Sequence, residues 1–138
     1  MRDVFAERTR IARMLDFEAA LARAEASVGV IPQKAADAIA RECNADGFDV
    51  AAIARDARKA GNLAIPLVAA LTRNVAAAAP DAKGYVHWGA TSQDVIDTGL
   101  VLQLRDALAL IEADVDRLAA ALATQVRRHA TTVLAGRT

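Results

Sequence analysis

Much of what marks a specialised protein class is scarce in this chain. Cys43 is the single cysteine in 138 residues, which excludes an intrachain disulfide and any cysteine cluster for metal. Lys+Arg and Asp+Glu number 17 each, for a formal net charge of zero. A generic nucleic-acid or anionic-membrane surface needs an excess of Lys and Arg to meet phosphates, so neither partner is expected. The apolar stretches are Ala-rich and much shorter than the roughly 18 residues that cross a bilayer, so no membrane span is expected. The opening MRDVFAERTR is charged and is not a basic-then-apolar signal sequence. A soluble, reducing, cytoplasmic setting is the expectation. No spacing of candidate ligands calls for a metal or an organic cofactor.

Apolar residues reach 54% while aromatics are only 4%, and the excess is mostly alanine, the strongest helix former. The class expected is all-α. A first helix is read from Phe5 to Val28, with Met14, Phe17, Leu21, Ala24 and Val28 recurring at spacings of three and four, widened by Ile11 and Leu15. Arg8, Arg13, Glu18 and Arg23 fall mostly on its other faces. Gly29 stops it, and Pro32 opens a short second helix over Gln33 to Glu42. Asn44, Asp46 and Gly47 form a turn. Asp49 caps a third helix from Val50 to Ala60, which Gly61 closes. Pro66 starts a fourth through Leu67, Ala70, Leu71 and Val75. Pro80, Asp81 and Gly84 then break the pattern.

From about Gln93 to Ala130 there is no proline, and Gly99 is the one glycine. Ile96, Leu100, Leu104, Leu108, Ile111, Val115, Leu118, Leu122 and Val126 make one continuous stripe. Such a helix is about 55 Å long, longer than a domain of this size is wide. Its apolar face requires cover from other copies or from sequence outside this chain. The expected organisation is a helical domain over residues 1–90. Residues 91–138 then form the first long helix of an incomplete bundle.

Tyr85-Val-His-Trp-Gly-Ala-Thr-Ser-Gln-Asp-Val-Ile-Asp-Thr-Gly99 carries the candidate chemistry. It is a polar loop, hinged at Gly84 and Gly89, that runs into the start of the long helix. Thr91 followed by Asp94 reads as a capping box. One reading is that Thr91 or Ser92 only caps the helix. The other is that a helix N-terminus, with free N–H groups and a partial positive charge, holds a carboxylate there. The Thr91 and Ser92 hydroxyls and the Gln93 amide would then surround it with neutral donors. His87 is placed either to donate to the same anion or move a proton, or to make a structural hydrogen bond. Trp88 reads as a packing residue. His129 with Arg127 and Arg128 reads as favourable charge at the helix C-terminus.

His87-Trp-Gly-Ala-Thr-Ser-Gln-Asp-Val-Ile-Asp-Thr98 resembles the signature loop shared by adenylosuccinate lyases and carboxymuconate cycloisomerases of the fumarase/aspartase superfamily. The resemblance implies that Thr91, Ser92 and Gln93 bind a substrate carboxylate and that His87 is catalytic. Asp94, Asp97 and Thr98 would hold the loop and the helix start. Gly61-Asn-Leu-Ala-Ile-Pro-Leu-Val68 resembles the segment opening an earlier substrate-side helix, which makes Asn62 and Ile65 weaker binding candidates than the loop residues. Met14-Leu-Asp-Phe-Glu-Ala-Ala-Leu-Ala-Arg-Ala-Glu25 with Val28-Gly-Val-Ile-Pro32 is more similar to cycloisomerases than to the lyases.

What the resemblance implies is an enzyme without metal or cofactor that closes 3-carboxy-cis,cis-muconate, a small tricarboxylate, to a lactone. In the superfamily such enzymes are tetramers of chains about three times this length. A catalytic serine loop, in a Gly-Ser-Ser-x-Met-Pro context, has no match here. Ala135-Gly-Arg-Thr138 resembles the lead-in to a diagnostic His or Trp. The chain alone is therefore expected to be inactive. Two other readings stand beside this one: an adenylosuccinate lyase-like enzyme eliminating fumarate, and a non-catalytic helical piece that self-associates.

Overall fold

A computed structural model of the chain describes residues 1–133, 135 and 136. Arg137 and Thr138, half of the expected Ala135–Thr138 lead-in motif, lie outside the described residues. Among the described residues there are α-helices and 3-10 turns and no strand, so the molecule is all-α. The helices are α1 (Glu7–Ser27), α2 (Gln33–Glu42), α3 (Val50–Ala60), α4 (Ala64–Ala78) and α5 (Ser92–Arg128), with 3-10 turns at Asp3–Phe5, Ala45–Gly47 and Pro80–Tyr85.

Local chemistry sets most of these boundaries. The Asp49 carboxylate accepts the Ala52 N–H at 2.9 Å and starts α3. Gly61 ends α3 in the left-handed region at φ 80°, a conformation that costs glycine little. Asn62 Oδ1 accepts the Ile65 N–H at 3.1 Å, covering a free donor at the start of α4. That helix begins at Ala64 rather than at Pro66, because proline is tolerated throughout a first turn whose N–H groups have no helical acceptor. At the amino end, Asp3–Phe5 is a separate 3-10 turn, so α1 begins at Glu7 rather than Phe5.

The core gathers Ile11, Met14 and Leu15 of α1, Ile39 of α2, Ile53 of α3, Leu67, Leu71 and Val75 of α4, and Val95 of α5. The buried line of α1 runs Ile11, Met14, Leu15, Glu18, Ala19, Ala22. It diverges from the stripe expected along Ala24 and Val28, which are exposed. Glu18, read as part of the polar surface, is 1% exposed. The reason is packing: both α2 and α5 lie against α1, so tertiary partners and not the apolar stripe alone decide which side of the helix is covered.

The side of α5 that meets α1 is Val95, Gly99, Gln103 and Ala107, at intervals of four. A Cβ on Gly99 would lie 2.8 Å from Met14 Cγ and 3.4 Å from Met14 N, so the two helices approach as closely as glycine permits. Gln103 Nε2 donates to the Val4 carbonyl at 2.6 Å, and Arg13 donates to Asp106 at 2.9 Å. From Leu108 onward every residue of α5 except Ala123 is exposed. The leucine stripe therefore faces solvent, with Val115 55% and Val126 69% exposed.

Candidate functional site

The loop before α5 is shaped by two left-handed residues, Gly89 at φ 68° and His87 at φ 58°. Glycine adopts that region freely, whereas for histidine it is uncommon and signals a local constraint. Gly84, expected as a hinge, lies inside the 3-10 turn Pro80–Tyr85. Trp88, expected to pack, is 51% exposed, although its ring sits 6.1 Å from that of Tyr85.

Thr91 is the N-cap, and a capping box is formed. The Thr91 N–H and hydroxyl donate to Asp94 Oδ2 at 2.7 and 2.9 Å. Those bonds, the backbone one first, hold the Asp94 carboxyl below its ordinary value, and the charge of His87 adds to them. The Thr91 hydroxyl is thus committed to a carboxylate of the chain itself, and the helix start is not the uncharged cradle expected. The Gln93 side-chain amide donates to Asp97 Oδ1 at 2.6 Å. What remains for an anion is the N–H groups of Ser92 and Gln93, which have no helical carbonyl behind them, and the half-buried Ser92 hydroxyl.

Beside this terminus lies a shallow cleft of about 320 Å³, lined by Phe17, Leu21 and Glu25 of α1 and by Trp88, Gly89, Ala90, Asp94 and Thr98. Its charged lining residues are the carboxylates Glu25 and Asp94. Asn62 instead lines a second cleft with Glu7, Arg10 and Arg58, and the two clefts share no lining residue. Among the described residues no group of three His, Cys, Asp or Glu side chains is placed to hold a metal ion. No helix among them is long and apolar enough to cross a membrane.

His87 does not stand alone. Its Nδ1 lies 2.6 Å from Oε1 of the buried Glu18. The hydrogen bond to the Glu18 carboxylate raises the imidazole above its ordinary value. Burial opposes that rise, and the charges of Glu18, Asp94 and Glu25 add to it. Glu25 is two turns along α1 from Glu18, on the same side of the helix. Burial first, and then the charge of Glu18, push its carboxyl up, while His87 pulls it down. Glu18 and Glu25 were both missed in the sequence. The one available signal was a pair of acids seven residues apart beside an apolar stripe.

Residues 1–138 match the family described as lyase. The chain is 56% identical over 138 residues to the 3-carboxy-cis,cis-muconate cycloisomerase of Pseudomonas putida, covering 100% of this chain and 33% of that protein. It is 59% identical to the enzyme of the same name from Pseudomonas aeruginosa, covering 100% and 30%. The crystal structure of the 3-carboxy-cis,cis-muconate lactonizing enzyme from Pseudomonas putida superposes with a TM-score of 0.95 at 57% identity, over 99% of this chain and 31% of that one. The chain spans about a third of the length of the curated relatives it matches.

Proposed function

The chain belongs to the lyase family, and we propose that it serves a 3-carboxy-cis,cis-muconate cycloisomerase. In that reaction one substrate carboxylate oxygen forms a C–O bond to an alkene carbon. The displaced electron pair moves to the carbon beside a second carboxylate, where a proton is taken up. Catalysis requires donors on the carboxylate that receives the developing enolate charge, and a group that moves the proton. The observation that carries this reading is agreement in sequence and fold across 99% of this chain with about a third of the Pseudomonas putida lactonizing enzyme, at 57% identity and a TM-score of 0.95.

In this reading the N–H groups of Ser92 and Gln93 and the Ser92 hydroxyl hold a substrate carboxylate, as a helix terminus does for anions, and the Gln93 side chain, expected to bind substrate, is held by Asp97. Thr91, Asp94, Asp97 and Thr98 keep the terminus in shape, and His87 is the catalytic residue. Asn62 contributes from the α3–α4 junction. A tricarboxylate beside Glu25 and Asp94 needs cations from outside that cleft. The exposed stripe of α5 fits a homo-oligomer, with residues 1–90 as a helical domain and 91–138 as the start of a bundle. A single free cysteine fits a reducing cytoplasm.

The test is a chimera in which this chain replaces the matching segment of the Pseudomonas putida enzyme. The chimera is expected to lactonise 3-carboxy-cis,cis-muconate. A chimera that folds and assembles yet leaves the muconate untouched, or that instead eliminates fumarate from a succinylated nucleotide, contradicts the proposal.

A further inference from the structure

Three acid–base groups from distant parts of the chain meet beneath the loop. Glu18 and Glu25 come from α1, and His87 arrives 69 residues after Glu18 through a left-handed backbone turn. The Glu18 side chain is 1% exposed. Its Oε2 and the Oε2 of Glu25 are both buried without a hydrogen-bond partner among the described residues. Buried carboxylates are costly unless paired, and an orphaned oxygen on each adds to that cost. An apolar residue at position 18 would pack in the core with neither penalty, and a surface histidine would need no left-handed backbone. The arrangement is explained if its purpose is to hold the imidazole.

We propose that Glu18 is a positioning residue for His87, holding the ring through Nδ1 so that Nε2 is the nitrogen left to act, with Glu25 as the second carboxylate of the cluster. The functional part of this inference rests on the reading of His87 as the catalytic group. A carboxylate on Nδ1 selects the tautomer with the proton on that nitrogen. It also stabilises the imidazolium, as the rise from the Glu18 hydrogen bond indicates. In that state Nε2–H is a charged donor for a substrate carboxylate or a developing enolate. The charged groups facing His87 are Glu18 and Glu25 from α1 and Asp94 from α5. All three are acids, so they favour the same protonation state.

The chain has two histidines, and a His129→Gln background leaves the His87 ring signals unambiguous in imidazole ¹⁵N–¹H spectra of the full chain. In the parent, the Nδ1 proton of His87 is expected to be protected from exchange across the titration. In Glu18→Gln the His87 midpoint moves to lower pH, and in Glu18→Asp it lies between the two. Glu25→Gln moves it in the same direction by less. In the chimera, Glu18→Gln is expected to lower kcat/KM about 10- to 100-fold and to shift the pH–rate limb, while Glu18→Asp recovers part of both.

The proposal is overturned if Glu18→Gln, with helical content unchanged, leaves the His87 midpoint and Nδ1 signal in place. If Glu18→Gln does not fold, the parent spectrum decides: a neutral ring protonated on Nε2 overturns the proposal, and one protonated on Nδ1 supports it. These spectra are taken without substrate. A chimera inactive on muconate but with an intact Nδ1 signal therefore removes the assigned reaction and leaves the Glu18–His87 arrangement standing.

Discussion

Replacing Gly99 with alanine sets two known effects against each other at one atom. Inside a helix the change normally stabilises by about 1 kcal/mol, because glycine has more backbone freedom to lose and packs nothing. Here the new methyl would lie 2.8 Å from Met14 Cγ, 3.4 Å from Met14 N and 3.6 Å from Met14 Cα. The two backbone distances are ordinary van der Waals contact, so the clash is with the Met14 side chain, which is fully buried and must be displaced within the α1–α5 contact. Forcing extra volume into a packed contact costs about 1–3 kcal/mol. Taking the middle of that range, Gly99→Ala destabilises by about 1 kcal/mol net, or about 4 °C in Tm for a chain of this size. Thermal and urea unfolding followed by far-UV circular dichroism read this out. In a Met14→Ala background the clash is gone, so the same substitution should become stabilising. A rise in Tm for Gly99→Ala in the parent chain would refute the close α1–α5 contact.

Other outcomes follow from the same geometry. Thr91→Ala removes the N-cap and should cost about 1 kcal/mol in urea unfolding, with faster amide exchange in the first turn of α5. The folded-state value of His87 is raised above the ordinary 6.5. Its contribution to stability is therefore full below about 6.5 and is lost as pH rises through the folded value. His87→Gln should flatten the stability–pH curve in that window and leave the acid limb unchanged. If Leu108 to Val126 is an interface, the chain should sediment above its monomer mass of 14.5 kDa. Leu118→Glu should then return it to monomer, and a monomeric parent would count against the interface.

Features with local causes were legible in the sequence. α2 and α3 have the bounds expected, because Pro32, Asp49 and Gly61 act on neighbours within a few residues. The Thr91–Asp94 capping box is likewise a short-range pattern. The start of α4 was misplaced by two residues because Pro66 marks a first turn without saying which position it holds. What stayed hidden depends on distant partners. Glu18 looks like surface charge until His87 is brought against it from 69 residues away. Gly99 looks like a weak point in a helix until Met14 is placed above it. The committed Thr91 hydroxyl shows a third limit: the sequence pattern names the donors at a helix start but not which are already taken.

The central claim is that the start of α5 grips a substrate carboxylate, and Ser92 is the side chain whose loss reports on it most directly. A hydrogen bond to a charged group contributes about 1.5–3 kcal/mol, so Ser92→Ala in the chimera is expected to lower kcat/KM for 3-carboxy-cis,cis-muconate about 10- to 100-fold with the fold intact. A chimera carrying Ser92→Ala that matches its parent in kcat/KM would contradict the account.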